Sequence, residues 1–253
     1  DTASRNRSGY RGSRMNSNEL ILLAAEYFGV IAVVMLLVLS PRVRGRRKVT
    51  FIYPRREALY ALAGFFVIFA LAVIYYERPG SSGLRASLIL AGLSALPFIA
   101  LLFFRRQPLR SAGWGSANLR IGLLVGLALA LLTIFLRNRF NDIVRGLPPE
   151  QITLLLYWLG ICLLEESIFR GYIQPRLAAW LGEIPGWVLV AALFALWRLP
   201  LWLSGGQPLS AALPDLGLAF AQGILLGYIQ RKTESVLAPG LYRAISTWIR
   251  FLP

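Results

Sequence analysis

The sequence predicts an all-α, polytopic membrane protein of about eight transmembrane helices. Three observations predict it. Of its 253 residues, 57% are hydrophobic and 15% charged, whereas a soluble domain carries roughly 25% charged residues. The mean hydropathy is +0.59. The apolar residues fall into runs of about 20, the length that crosses a bilayer, and the basic residues gather between the runs.

The first 19 residues form a basic polar tail with Arg5, Arg7, Arg11 and Arg14 among Ser, Asn and Gly. They hold too little apolar surface to fold alone. Leu20–Leu39 is the first span, interrupted by Glu26. The segment 40–56 follows with Arg42, Arg44, Arg46, Arg47, Lys48, Arg55 and Arg56, an excess that marks a cytoplasmic loop and suits anionic lipid headgroups. Within it, Arg42, Arg44, Arg46, Arg47 and Lys48 are the candidate lipid- or partner-binding residues. Glu57–Tyr76 is the second span, and Leu84–Phe104 the third, with Pro97 as an expected kink. Leu119–Leu136 is the fourth; its Gly122 and Gly126 are spaced for close helix packing.

Pro148-Pro149 closes the next loop. Gln151–Leu164 is the fifth span; the helix is expected to run to Gln174 and break at Pro175. Trp187–Trp202, Ala211–Ile229 and Val236–Phe251 complete the eight. Residues 20–150 thus hold four spans and 151–253 another four. Loops 105–118 and 230–235 then fall on the side of loop 40–56. Arg137, Arg139 and Arg145 fall on the other side, against the charge bias.

The charge balance is 27 Lys+Arg against 12 Asp+Glu, formally +15. Because the cations sit between apolar runs, the bilayer is the expected partner rather than nucleic acid. One cysteine, Cys162, excludes an internal disulfide and reads as a small buried hydrophobe. There is no histidine, which removes the usual proton-transfer group near neutral pH and makes a zinc site improbable. No metal or other cofactor is expected. A haem- or chlorophyll-ligating role is excluded on the same ground.

The most informative stretch is Glu165-Glu166-Ser167-Ile168-Phe169-Arg170-Gly171, set in apolar sequence. Ionisable groups in such a segment are rare and usually functional. On a helix Glu166 and Arg170 share a face and can pair, while Glu165 points about 100° away. Two later stretches stand out: Phe194-Ala195-Leu196-Trp197-Arg198, and Gly223 to Thr247, which contains Arg243.

In this order the motifs resemble the CAAX-protease and bacteriocin-processing (CPBP, or Abi) family of polytopic intramembrane endopeptidases, which includes the prenyl-protein proteases. The resemblance covers roughly residues 150–250. It implies Glu165 as general base on water, Glu166 as its neighbour, and Arg170 as the group holding both carboxylates. The family carries Phe-x-x-x-His where this chain has Arg198, a later His where it has Arg243, and Asn where it has Thr247. Guanidinium neither accepts a proton nor ligates a metal, and near Glu165 it would lower its basicity. The expected centre is therefore Glu165 and Glu166 against Arg170, Arg198 and Arg243, a cluster of net charge about +1 that ties helices together.

The leading reading is a non-catalytic accessory, scaffold or assembly subunit of a larger membrane complex in a bacterial-type inner membrane. Two rivals stand beside it. One is an intramembrane endopeptidase using Glu165, with arginine donating to the oxyanion; the other is a protein that binds a lipid or small molecule in the former active-site cavity.

Overall fold

A computed structural model describes residues 17–39, 49–78, 81, 83–204 and 208–252. The tail 1–16 and the basic residues Arg42, Arg44, Arg46, Arg47 and Lys48 lie outside the described residues. The described chain is helical throughout. The helices are α1 (Ser17–Leu39), α2 (Pro54–Tyr76), α3 (Leu84–Phe104), α4 (Ser116–Leu136), α5 (Phe140–Val144), α6 (Pro149–Glu166), α7 (Gln174–Leu181), α8 (Glu183–Ser204), α9 (Leu209–Thr233) and α10 (Leu237–Trp248). A 3₁₀ turn at Leu109–Ala112 precedes α4, and another, Ile249–Phe251, ends α10.

Among the described residues, six helices are long and apolar enough to cross a membrane: Pro54–Tyr76, Leu84–Phe104, Asn118–Leu136, Pro149–Leu181, Glu183–Ser204 and Leu209–Thr233. In α1 the apolar stretch is Ile21–Leu36. The chain is an all-α polytopic membrane protein. The last expected span, Val236–Phe251, is a helix of only 12 residues and therefore about 18 Å long. It is wedged among α4, α6 and α9, with Ala238, Tyr242, Arg243, Ala244 and Trp248 all buried.

The expected break at Pro175 does not occur. Ser167–Ile173 forms a π-helical segment of 7 residues, and Pro175 opens the next helix at its first turn. The widened π turn thus joins α6 and α7 into one span, Pro149–Leu181. Gly171 lies within it, and a Cβ there would overlap the Ala112 carbonyl, so glycine lets the Leu109–Ala112 turn press against the π segment. Pro97, Pro200 and Pro214 likewise sit inside continuous helices.

Glycine also sets the α4–α10 contact. A Cβ on Gly122 would strike the Ser235 side chain, and one on Gly126 would sit 2.9 Å from Leu241. Both glycines pack against the short last helix and its approach. Gly223 does the same for α9 against α8, where a Cβ would lie 3.0 Å from the Ala191 backbone.

Two buried polar networks fasten the first four helices to the rest. In one, Glu26 of α1 is fully buried. It accepts from Arg137 at the end of α4 (Nη2 2.5 Å, Nε 2.9 Å), from the Tyr242 hydroxyl (2.9 Å) and from Ser246 Oγ (2.6 Å) on α10. Arg137 is therefore a bound counter-ion rather than a loop charge, which removes part of its conflict with the charge bias. In the other, Glu57 at the start of α2 accepts from Arg105 (2.5 Å) and Gln107 (2.8 Å), with Arg176 Nε 3.5 Å away. Arg176 is fully buried, donates to the Tyr172 carbonyl at 2.9 Å, and lies over the Tyr172 ring.

Removing one partner of a buried ion pair leaves an uncompensated charge and costs about 3–5 kcal/mol. Thermal unfolding in detergent should show Glu26→Ala destabilised by an amount of that order. The double variant Glu26→Leu/Arg137→Leu should recover most of the loss, since an apolar pair of similar volume is often neutral. A Glu26→Ala midpoint equal to that of the unmodified protein would mean that the network does not hold α1.

Candidate functional site

Five charged side chains from four segments meet at one point. Glu165 and Glu166 end α6, Arg170 stands one turn on in the π segment, Arg198 is on α8 and Arg243 on α10. Glu166 and Arg170 are wholly buried, and so, within a few per cent, are Glu165 and Arg243. Arg198 has 26% of its side chain exposed and is the member that reaches the surface.

The hydrogen bonds occupy both carboxylates. Arg243 bridges them: its Nη1 lies 2.8 Å from Glu166 Oε1, and its Nη2 donates to Glu165 Oε2. The fork of one guanidinium suits this, because two donors point the same way from a planar group. Arg198 Nη2 adds a longer contact to Glu165 Oε2 at 3.4 Å. Trp197 Nε1 donates to the other oxygen, Glu165 Oε1, at 3.2 Å. Each oxygen of Glu165 thus already accepts from protein.

Glu166 Oε2 faces Arg170 Nε at 3.3 Å, an ion pair too poorly aligned to count as a hydrogen bond. The i,i+4 pairing expected from sequence is therefore present as charge contact only. Arg170 is held instead by its Nη2, which donates to the Gly223 carbonyl at 3.2 Å.

Phe194 is the platform of the cluster. The guanidinium carbons of Arg170, Arg243 and Arg198 lie 4.3, 4.8 and 5.4 Å from its ring centroid. Cations are attracted to the face of an aromatic ring, so one buried phenylalanine helps three like charges share a small volume. Phe169 packs edge-on to Phe194 at 5.3 Å and anchors the π segment against α8. Thr247 is half-buried one turn beyond Arg243, and no hydrogen bond joins it to the cluster. It is the one motif position the fold does not bring in.

Sequence reasoning missed the partners of uncharged type. Trp197 and Phe194 closely precede Arg198 in the sequence, and the structure makes them contacts of Glu165 and of the three arginines. The signal was there in principle, since a buried indole N–H needs an acceptor. The Glu26 and Glu57 networks were missed for a different reason. Both glutamates lie within or at the edge of spans, yet their partners are 48 to 220 positions away in the sequence.

Residues 148–249 match the family model described as Rce1-like, type II CAAX prenyl endopeptidase. The chain carries an Rce1-like domain of the CPBP family. No curated protein and no solved structure matches the chain. Within the Rce1-like domain lie all five cluster residues, the π segment and the whole of α10. Of the helices before it, α1 and α4 are tied to the domain by the Glu26 network, and α2 and the end of α3 by the Glu57 network. Two clefts open beside the 3₁₀ turn Leu109–Ala112, of about 820 and 210 Å³, and neither is lined by a cluster residue.

The geometry ranks the arginines. Arg243→Ala frees both buried carboxylates and should cost about 3–5 kcal/mol of stability. Arg198→Ala loses one long, partly exposed contact and should cost under about 1 kcal/mol. Arg243→Lys should not rescue, because a single ammonium lacks the planar fork that spans two carboxylates. Thermal unfolding of the three variants checks the order. Equal losses for Arg198→Ala and Arg243→Ala would overturn it.

Proposed function

We propose that this chain is a non-catalytic form of the Rce1-like fold, serving as an accessory or assembly subunit of a larger membrane complex. One observation carries the reading. Both oxygens of Glu165 already accept hydrogen bonds, from Trp197 on one side and from Arg198 and Arg243 on the other. A general base must offer a lone pair to the proton it removes and have a pKa near the working pH. Here the candidate base is held between two guanidinium groups that cannot leave as neutral species. The sequence has no histidine to share the proton work.

On this reading residues 151–253 are the protease-like frame. The carboxylates and arginines serve as internal struts, and loop 40–56 faces the cytoplasm of a bacterial-type inner membrane. What such a subunit offers a partner is a rigid apolar surface. Many large side chains of α2, α3 and α4 face outward, among them Phe66, Ile99 and Phe135 at about 60% exposure.

Two measurements test the proposal. Incubated with a prenylated membrane peptide, the purified protein and its Glu165→Ala variant should both leave the peptide uncut. Cleavage by the unmodified chain that disappears with Glu165→Ala would establish the endopeptidase reading instead. Extraction in mild detergent should yield a complex with stoichiometric partner subunits, and a clean monomer under those conditions would count against an accessory role.

A further inference from the structure

The larger cleft, about 820 Å³, is bounded by the segment leading into α2, the 3₁₀ turn Leu109–Ala112 and the first turn of α4. Its size is within the roughly 300–1,000 Å³ of small-molecule sites. Its floor carries an excess of positive charge. Glu57 is already surrounded, with Arg105 at 2.5 Å, Gln107 at 2.8 Å and Arg176 at 3.5 Å. Two guanidinium groups thus face one carboxylate. Arg105 lines the cleft with 25% of its side chain exposed, so Glu57 does not cover it completely.

Arg110 adds a third cation. It is exposed, lines both clefts, and forms no ion pair among the described residues. The first turn of α4, which lacks a side-chain cap, contributes Ser116 and Asn118 to the same wall. The opposite wall and the rim are apolar. Phe51 lies 5.0 Å under Arg176, Ile52 is 88% and Tyr53 63% exposed, and Leu109 beside the cleft is 66% exposed.

A cationic floor beside an apolar rim, at the end of helices long enough to cross a bilayer, matches one kind of molecule. We propose that this cleft holds one anionic phospholipid, its phosphate held by Arg105 and Arg110 and its acyl chains lying along Ile52 and Tyr53. An acidic protein segment would use the cations but leave the rim unpartnered. A free phosphate would do the same. The site is separate from the Glu165 cluster and does not depend on whether that cluster is catalytic.

The test uses the full chain in a neutral detergent, with thermal unfolding and native mass spectrometry as readouts. Phosphatidylglycerol should raise the unfolding midpoint and remain bound as a single adduct. Phosphatidylcholine with the same acyl chains should do neither, and glycerol 3-phosphate alone should give no shift. Arg110→Glu should weaken phosphatidylglycerol binding by about tenfold or more, given the size of a cation's attraction to an anionic lipid, without changing the midpoint in the absence of lipid. Ser116→Asp, which puts a negative charge in the same cleft, should act alike. Arg85→Glu, the same charge reversal at the other end of α3, should have no effect. Equal binding of phosphatidylcholine would overturn the proposal, as would equal weakening by Arg85→Glu. A full shift from glycerol 3-phosphate would make this a phosphate site, and stabilisation by an acidic peptide but not by phosphatidylglycerol would assign it to a protein partner.

Discussion

A carboxylate placed among apolar helices must be met by a cation. Moving an ion of that size out of water into a medium of low dielectric costs on the order of 20 kcal/mol before relaxation. Four glutamates of this chain, Glu26, Glu57, Glu165 and Glu166, are buried in that way, and each is answered by arginine. The answers are never local alone. Glu26 draws in α4 and α10, Glu57 draws in the end of α3 and α7, and the Glu165–Glu166 pair draws in α8 and α10. The helices are arranged as they are because these charges have nowhere else to go. Apolar packing then fills the space between them.

The short helix α10 shows how closely the networks are coupled. Tyr242 and Ser246 turn to Glu26 on α1, while Arg243 between them turns to Glu165 and Glu166 on α6. Twelve residues thus bind the first helix of the chain to the centre of the Rce1-like domain. Gly122 and Gly126 allow α4 to approach this helix closely. The π segment plays the matching part on the other side, because it carries Arg170 under Phe194 and passes Pro175 without a break. The positions that the family resemblance implies for a protease site hold a charge cluster here, in which three guanidinium groups and the Trp197 indole surround two carboxylates.

Much of this was legible beforehand. Hydropathy and the placement of basic residues predicted a polytopic helical protein, and the motif at Glu165–Arg170 pointed to the family whose model covers residues 148–249. The meeting of Glu165, Arg198 and Arg243 followed from their order along the chain together with that resemblance. Other features were not legible. Nothing local in the run around Pro175 announces a π turn, and the close approach of Gly171 within that turn to the Leu109–Ala112 segment joins residues about 60 positions apart. The short length of α10 was hidden as well, since its apolar composition is that of a span. The partners of Glu26 and Glu57 could be demanded from sequence but not named.

The residues alone fix the chemistry available: arginine without histidine, carboxylates inside apolar runs, glycines spaced for close packing. These depend only on residue type and spacing. The allocation of partners belongs to the packed fold. It set which oxygen of Glu165 meets Trp197, made Arg243 rather than Arg170 bridge the two carboxylates, left Thr247 outside, and turned Arg137 from a loop charge into the counter-ion of Glu26. Such choices depend on distances between residues far apart in the chain. Those distances are fixed only when all the helices pack together and every buried charge is compensated at once.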